Sequence, residues 1–440
     1  MLHAWSMSVV LSQKTLPYKS RYAMVPLGLL LTPSGEEVKI DDRENYKQLT
    51  VKTNGGGIVE RNAMKKSGKD IKTRKQTKVK AGEFLFSKID ARNGAFGIVP
   101  RELDGTVVTA EFPVFSIKEH LVIPQFLWLL MVSKEMSRYI KSLSQGSTNR
   151  KRLDIETFLG LHVPLPSIDE QKAMMTEYDD AQERVRKIER EQEQLPGKIQ
   201  KTVFTKTGTE IIRQHTTKRL QTARFKNMDT WSVDSVLESL KIHSTYPMVR
   251  IGDCIQSFMK EENGKTLRVS PRKNPEEDFL YIGMEVIEKN IGRMNGFEQK
   301  KGSEIKSGVI AVPKGYVIYG KLRPNLNKYW VNTSDELNVV CSTEFFVFSL
   351  RPDIDTDYFE CLLGSDIVQE QIKKHITGTG LPRINVNDFQ RVMIPNPPAS
   401  LRRQLGSYFK SRQKILWEGR DQITFERERA KKKIESQIFE

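Results

Sequence analysis

The feature that most constrains this 440-residue chain is an internal duplication. MVPLG at 24–28 returns as MVRIG at 248–252, an offset of 224 (248 − 24). GEFLFSKIDAR at 82–92 lines up with GYVIYGKLRPN at 315–325, and EFPVF at 111–115 with EFFVF at 344–348, both at 233. RLDIETF at 152–158 matches RINVNDF at 383–389 at 231, as do the proline pairs VPLP (163–166) and IPNP (394–397). Landmarks kept in order over such a length require two similar domains, not a solenoid of short repeats.

Each copy ends in a long helical pattern. After the first proline pair, Met174, Tyr178, Ala181, Val185, Ile188, Leu195 and Ile199 fall at steps of four and three, broken by Gln192. After the second, Leu405, Phe409, Leu416 and Ile423 do the same and pass into Ala430, Ile434 and Ile438. That spacing is a coiled-coil seam, and the two helices are suited to packing antiparallel. Pro196-Gly197 should kink or interrupt the first. From Ile168 to Leu195 an unbroken helix would measure about 42 Å at 1.5 Å per residue.

Within each copy, β-prone runs such as 84–86, 95–99, 106–109, 316–319 and 345–348 alternate with helices expected at 124–141 and 356–374, so the class is α/β (α+β). The boundaries read as a loosely held lead-in (1–20), a first lobe (21–166), a long helix (167–204), a polar linker (205–246) with a short helix at 232–240, a second lobe (247–397) and a final long helix (398–440). No apolar run is long enough to span a bilayer, and no cleavable signal opens the chain. Three cysteines without a CxxC pair make a disulfide framework or zinc site unexpected. The expectation is a cytoplasmic protein with no membrane partner.

Charge points to the partner. Lys and Arg exceed Asp and Glu by 71 to 55, a net +16, which favours a polyanion over a merely well-solvated helical surface. Nine bases crowd 61–80, among them Lys65, Lys66, Lys72, Arg74, Lys75 and Lys78, against one acid, Asp70. Density of that kind suits phosphate contact. The duplicated loops SQGSTNRKR (144–152, with Arg150, Lys151 and Arg152) and TGTGLPR (377–383, with Arg383) have two readings. Either backbone N–H groups and a guanidinium meet phosphate, or the arginines pin a turn to a neighbour. Lys88 and its counterpart Lys321 open the turns that follow the first aligned strands, and the second turn adds Arg323, Asn325, Asn327 and Lys328. Arg and Asn can read guanine and adenine bidentately, although an ordinary turn around Pro324 would also explain them.

Catalytic signatures fail. NPPA at 396–399 lacks the aromatic ring that an amino-methyltransferase loop stacks on a flipped base, Gly264-Lys-Thr266 lacks the glycine of a phosphate-binding loop, and six scattered histidines have no metal-ligand spacing. No catalytic residue, metal or bound cofactor is expected.

The order GExLFSKI, EFPVF, GSTNRKRL, VPLP and Glu170-Gln171, repeated more loosely in the second half, resembles the specificity subunits of type I restriction-modification systems. The resemblance covers about 22–440. It implies two target-recognition domains separated by two long antiparallel coiled-coil helices, each domain reading half of a split double-stranded DNA site. It also implies partners: two adenine methyltransferase subunits, which bind S-adenosylmethionine, and restriction subunits that use ATP and Mg. One departure is Arg402-Arg403 where the family carries Glu-Gln.

Overall fold

The computed structural model describes residues 18–61, 66–143, 152–215, 238–259, 269–376 and 380–439. The chain divides into two compact units: Met1–Lys187 with Ile423–Glu440, and Ile188–Gln422.

Unit 1 is built on a four-stranded antiparallel sheet in the order Phe96–Ile98, Phe84–Phe86, Val114–Ile117, Leu31–Pro33. Strand Phe84–Phe86 is buried at every residue, because both faces of the sheet are covered. Phe84 and Phe86 point into the main core, whereas Leu85 joins a separate cluster on the other face. Fully buried Phe158 sits among those rings, with centroids 4.2 Å from Phe86 and 5.4 Å from Phe115. A second sheet carries Val107–Val108, Lys75–Lys78 and Glu36–Lys39.

Unit 2 repeats the central sheet in the same order, as Tyr329–Val331, Val317–Gly320, Phe345–Leu350, Ile255–Phe258. Val317 and Tyr319 again face one cluster and Ile318 another. Phe389 takes the place of Phe158, stacked 4.7 Å from Tyr319 and 5.3 Å from Phe346. The second sheet departs from its counterpart: Asp278–Ile282 runs parallel to Val339–Ser342, flanked by Glu298–Lys301 and Val309–Ala311. The duplication thus keeps the central sheet and varies what is attached to it.

Several expectations are corrected. Each helix expected at 124–141 and 356–374 is two helices, Pro124–Met131 with Lys134–Leu143, and Thr356–Leu363 with Asp366–Lys373. Ser133 makes the first break by accepting the Met136 N–H on its Oγ. At the second, Gly364 lies so close to Tyr329 that a Cβ would come within 2.5 Å of its hydroxyl. In the linker, Glu238–His243 is a strand paired antiparallel with Glu210–His215, so 238–240 are not helical, and 232–237 lie outside the described residues. The lead-in is packed where it is described: Tyr18 is buried, donates to the His162 carbonyl and meets the Phe439 ring edge-on at 5.0 Å.

The long helices are Ile168–Thr207 and Ala399–Ile438, 40 residues each, and the first continues through Pro196. Inside unit 1 the paired segments run antiparallel, Glu177 meeting Lys433 and Arg184 meeting Glu426. Met174, Ala181, Val185 and Ile423 are buried and Tyr178 is half-buried. Inside unit 2, Gln192 reaches Ile415 and Thr202 reaches Tyr408, again antiparallel. Ile199, Leu405, Phe409 and Leu416 are buried there, with Ile188 and Leu195 half-buried.

The root of each helix is clamped to its unit. Gln171 donates to the carbonyls of Leu121 and Pro166 and accepts the Ile123 N–H. At the offset of the proline pairs the counterparts of Glu170-Gln171 are Leu401-Arg402, one residue earlier than the Arg402-Arg403 expected from the sequence, and Arg402, in the place of Gln171, donates to Asn396 Oδ1 and to the Asp353 carbonyl. The replacement of Gln171 by Arg402 keeps the clamp and changes its chemistry.

Candidate nucleic-acid interface

The duplicated motifs converge on one frame in each unit. In unit 1 the Lys88 N–H donates to the Glu111 carbonyl at 3.0 Å, and Leu153 donates to the Lys88 carbonyl at 2.9 Å. In unit 2 Lys321 donates to Glu344 at 2.8 Å and Ile384 to Lys321 at 3.1 Å. The arginine beside that contact closes the frame: Arg152 pairs with the Glu111 carboxylate at 3.0 Å, and Arg383 grips Glu344 through Nε at 3.1 Å and an η nitrogen at 3.0 Å. The Arg383 guanidinium holds the Glu344 carboxyl below its usual range. The pinning reading of Arg152 and Arg383 therefore describes these side chains. Their partners were marked in the sequence by the aligned Glu of EFPVF and EFFVF. Arg150 and Lys151 lie outside the described residues.

Past this frame each unit makes the same turn. Ala91–Asn93 and Pro324–Leu326 are single 3-10 turns, closed by Gly94 and Asn327 in the left-handed region at φ 72° and 45°. A non-glycine residue there is uncommon. Asn327 is held by burial and a side-chain bond to the Leu363 carbonyl at 3.0 Å. Arg323 is also left-handed, at φ 49°, its N–H tied to the Pro382 carbonyl at 2.7 Å. Lys328 donates to the Met284 carbonyl and is partly buried, which lowers its pKa. The Lys321 ammonium lies 5.3 Å from the Phe346 ring centroid. Arg323 and Asn325 remain exposed at the tip. The matching tip of unit 1 carries Asp90 and Arg92, both half-buried. A pinned turn with exchanged tip residues is suited to presenting different donors and acceptors from one scaffold.

The basic cluster is less isolated than its linear count implies. Strand Glu36–Lys39 pairs with Lys75–Lys78, placing Glu36 opposite Lys78, and Lys75 reaches Glu37 at 2.7 Å. Arg74 pairs with Asp42 and donates to the Gly68 carbonyl at 3.0 Å. The expectation of a single facing acid is thus corrected, since the fold brings Glu36, Glu37 and Asp42 against the cluster. Lys66 lies half-buried in strand Lys66–Ser67, Lys72 is exposed and Lys88 is half-buried; Lys65 lies outside the described residues.

Among the described residues no group of His, Cys, Asp and Glu could hold a metal, and no helix is long and apolar enough to cross a membrane. Cys254, Cys341 and Cys361 are buried, and burial pushes their thiols up, Cys254 to about 11, which disfavours the nucleophilic thiolate.

Comparison with known proteins places this layout in a family. The chain is 27% identical over 140 residues to the type I restriction enzyme HindI specificity subunit of Haemophilus influenzae, covering 31% of this chain and 30% of that relative. It is 24% identical over 119 residues to the EcoDI specificity subunit of Escherichia coli, covering 27% and 26%. The matched stretches thus span less than a third of either relative. Similar solved structures include the HsdS subunit from Thermoanaerobacter tengcongensis, at 16% identity, 96% and 98% coverage and TM-score 0.37. The S subunit of a type I system from M. genitalium is another, at 14% identity, 96% and 98% coverage and TM-score 0.43. A family model described as the type I restriction modification DNA specificity domain matches 32–195 and again 243–434. The two copies found in the sequence are two matches to one model, and the chain belongs to the family of type I restriction modification DNA specificity domains.

Proposed function

We propose that this chain is the non-catalytic DNA-reading subunit of a type I restriction-modification complex, and that each unit reads one half of a bipartite double-stranded site. The observation that carries this reading is the contrast between copies: the same central sheet order and ion-paired frame, with different outer sheets and different turn tips. Shared scaffolds with exchanged tips are what two different half-sites demand. Arg323 and Asn325 carry base contacts in unit 2, with guanine and adenine edges their natural partners. The exposed Lys72 and Lys78 contribute phosphate contact in unit 1.

The two 40-residue helices set the gap between half-sites and dock two adenine methyltransferase subunits, with restriction subunits joining the complex. S-adenosylmethionine, ATP and Mg belong to those partners, in a prokaryotic cytoplasm. Mapping methylated adenines in cells carrying Arg323→Ala/Asn325→Ala tests the assignment. One half of the motif should relax while the other half and the gap stay fixed. Change in both halves, or in neither, would refute it. Inserting about one helical turn near Gln192 should change the gap and leave both halves intact.

A further inference from the structure

In unit 1 an open cavity of about 370 Å³ lies at the start of helix Lys134–Leu143. Four cations line it from two elements: Lys134, Arg138 and Lys141 on one stripe of that helix, and Lys431 on the second long helix. Asn54 and Asn93 add amide groups to the lining. Two of the four are engaged within the unit: Arg138 pairs with Glu135 at 3.0 Å, and Lys431 donates to the Val132 carbonyl at 2.7 Å and lies 4.0 Å from Glu435, which also accepts the Lys134 backbone N–H at 3.2 Å. The side chains of Lys134 and Lys141 have no carboxylate partner among the described residues. Like charges one turn apart weaken a helix, so the scaffold alone gives no reason for this stripe.

The second copy provides an internal control. Helix Asp366–Lys373 starts in the same way, its first N–H bonded at 3.1 Å to Gln200 of a long helix. At an offset of 232 (366 − 134), Lys134 becomes Asp366, Arg138 becomes Glu370 and Lys141 becomes Lys373. The joint is kept while two of its three cations are replaced by acids. The charge in unit 1 is therefore not a requirement of the joint.

We infer that this cavity seats backbone phosphates of duplex DNA, and that unit 1 carries the seat while unit 2 lacks it at the equivalent place. The inference rests on the DNA-reading function proposed above. A backbone phosphate fits better than a free nucleotide, because among the described residues no aromatic side chain lines the cavity to stack a base and the opening is wide. Lysine and arginine donors around a concavity supply the charge and hydrogen bonds that a phosphodiester takes.

The test uses the full chain with its methyltransferase partner and a duplex carrying the mapped site. Affinity is measured between about 50 and 200 mM salt for wild type, Lys134→Gln/Lys141→Gln and Glu370→Gln, with circular dichroism to check folding. Each lost phosphate contact lowers the slope of log affinity against log salt by about 0.9, so the double variant should be shallower by about two. Sequence preference should be unchanged, and Glu370→Gln should match wild type. Lys134→Arg/Lys141→Arg keeps the charge and should restore the slope. An unchanged slope in the Gln variant overturns the inference. So does loss of subunit assembly at an unchanged slope, which would assign the patch to an acidic protein face. Loss of ATP or inorganic phosphate binding alone, read by calorimetry, overturns it too. If wild type itself shows no sequence preference, the underlying reading has failed; a steep wild-type slope shared by the Gln variant removes this inference alone.

Discussion

Gly419 faces the amide of Gln192 where the long helices pair inside unit 2. A Cβ at 419 would overlap Gln192 Nε2 and Cδ outright and come within 3.0 Å of its Oε1. Gln192 is 7% exposed, its Nε2 donates to the Ile415 carbonyl at 3.1 Å, and its Oε1 has no partner among the described residues. Ordinarily Gly→Ala inside a helix stabilises by about 1 kcal/mol. Here the methyl displaces the amide from its acceptor, and a buried unpaired amide costs about 1–3 kcal/mol. Gly419→Ala is therefore expected to be neutral to destabilising, by up to about 2 kcal/mol, the difference between those two effects. With the amide already gone, the sign reverses. Gly419→Ala in a Gln192→Ala background should recover roughly 1 kcal/mol of helix propensity. The coupling between the two changes should then be about 1–3 kcal/mol, whereas independent sites add within about 0.5 kcal/mol. Urea unfolding of wild type, both single variants and the double variant, followed by far-ultraviolet circular dichroism, gives the cycle. A cycle that closes to within the additivity of independent sites, or a Gly419→Ala single variant more stable than wild type, would refute the reasoning. The seam would then owe nothing to the Gln192 amide.

Two further outcomes follow from the repeated frame. Phe158→Ala and Phe389→Ala each empty the centre of an aromatic cluster and should each cost about 3–5 kcal/mol, read as a lowered urea midpoint; a loss below about 1 kcal/mol in either would contradict the packing. The Arg383–Glu344 pair makes a pH-dependent contribution. Because Arg383 holds the Glu344 pKa below its unfolded value of about 4.3, the stabilisation is complete above that pH and fades as pH falls through the folded value. Arg383→Gln should thus be slightly less stable than wild type at neutral pH, the pair being largely exposed, and converge with it once Glu344 is protonated in both states. A difference that persists in acid would place the effect elsewhere.

The duplication and the two long helices were legible in the sequence because both are written in spacing. Heptad steps need no distant partner to be recognised, and aligned landmarks announce a repeated core. The charge of 61–80 was legible as a count and misleading as a surface. Glu37, which pairs with Lys75, and Glu36, which lies opposite Lys78, sit on strand Glu36–Lys39, well upstream in the chain, and meet the cluster only through cross-strand register. The helix breaks at 132–133 and 364–365 were hidden for a similar reason. One depends on a serine acting as a local cap, the other on the close approach of Tyr329.

The sequence by itself determined that there are two like domains, that each leads into a long apolar-striped helix, and which residues recur at the turn after the first aligned strand. Tertiary structure decided what those residues do. Arg152 and Arg383 close ion pairs within their own frames, Lys328 is tied to a carbonyl, and Arg323 is held left-handed with Asn325 exposed beside it. Periodicity and repetition are properties of local order along a chain. Whether a charged side chain is spent on a neighbour or left for a ligand depends on which distant strand folds against it, and that is fixed only once the sheets have formed.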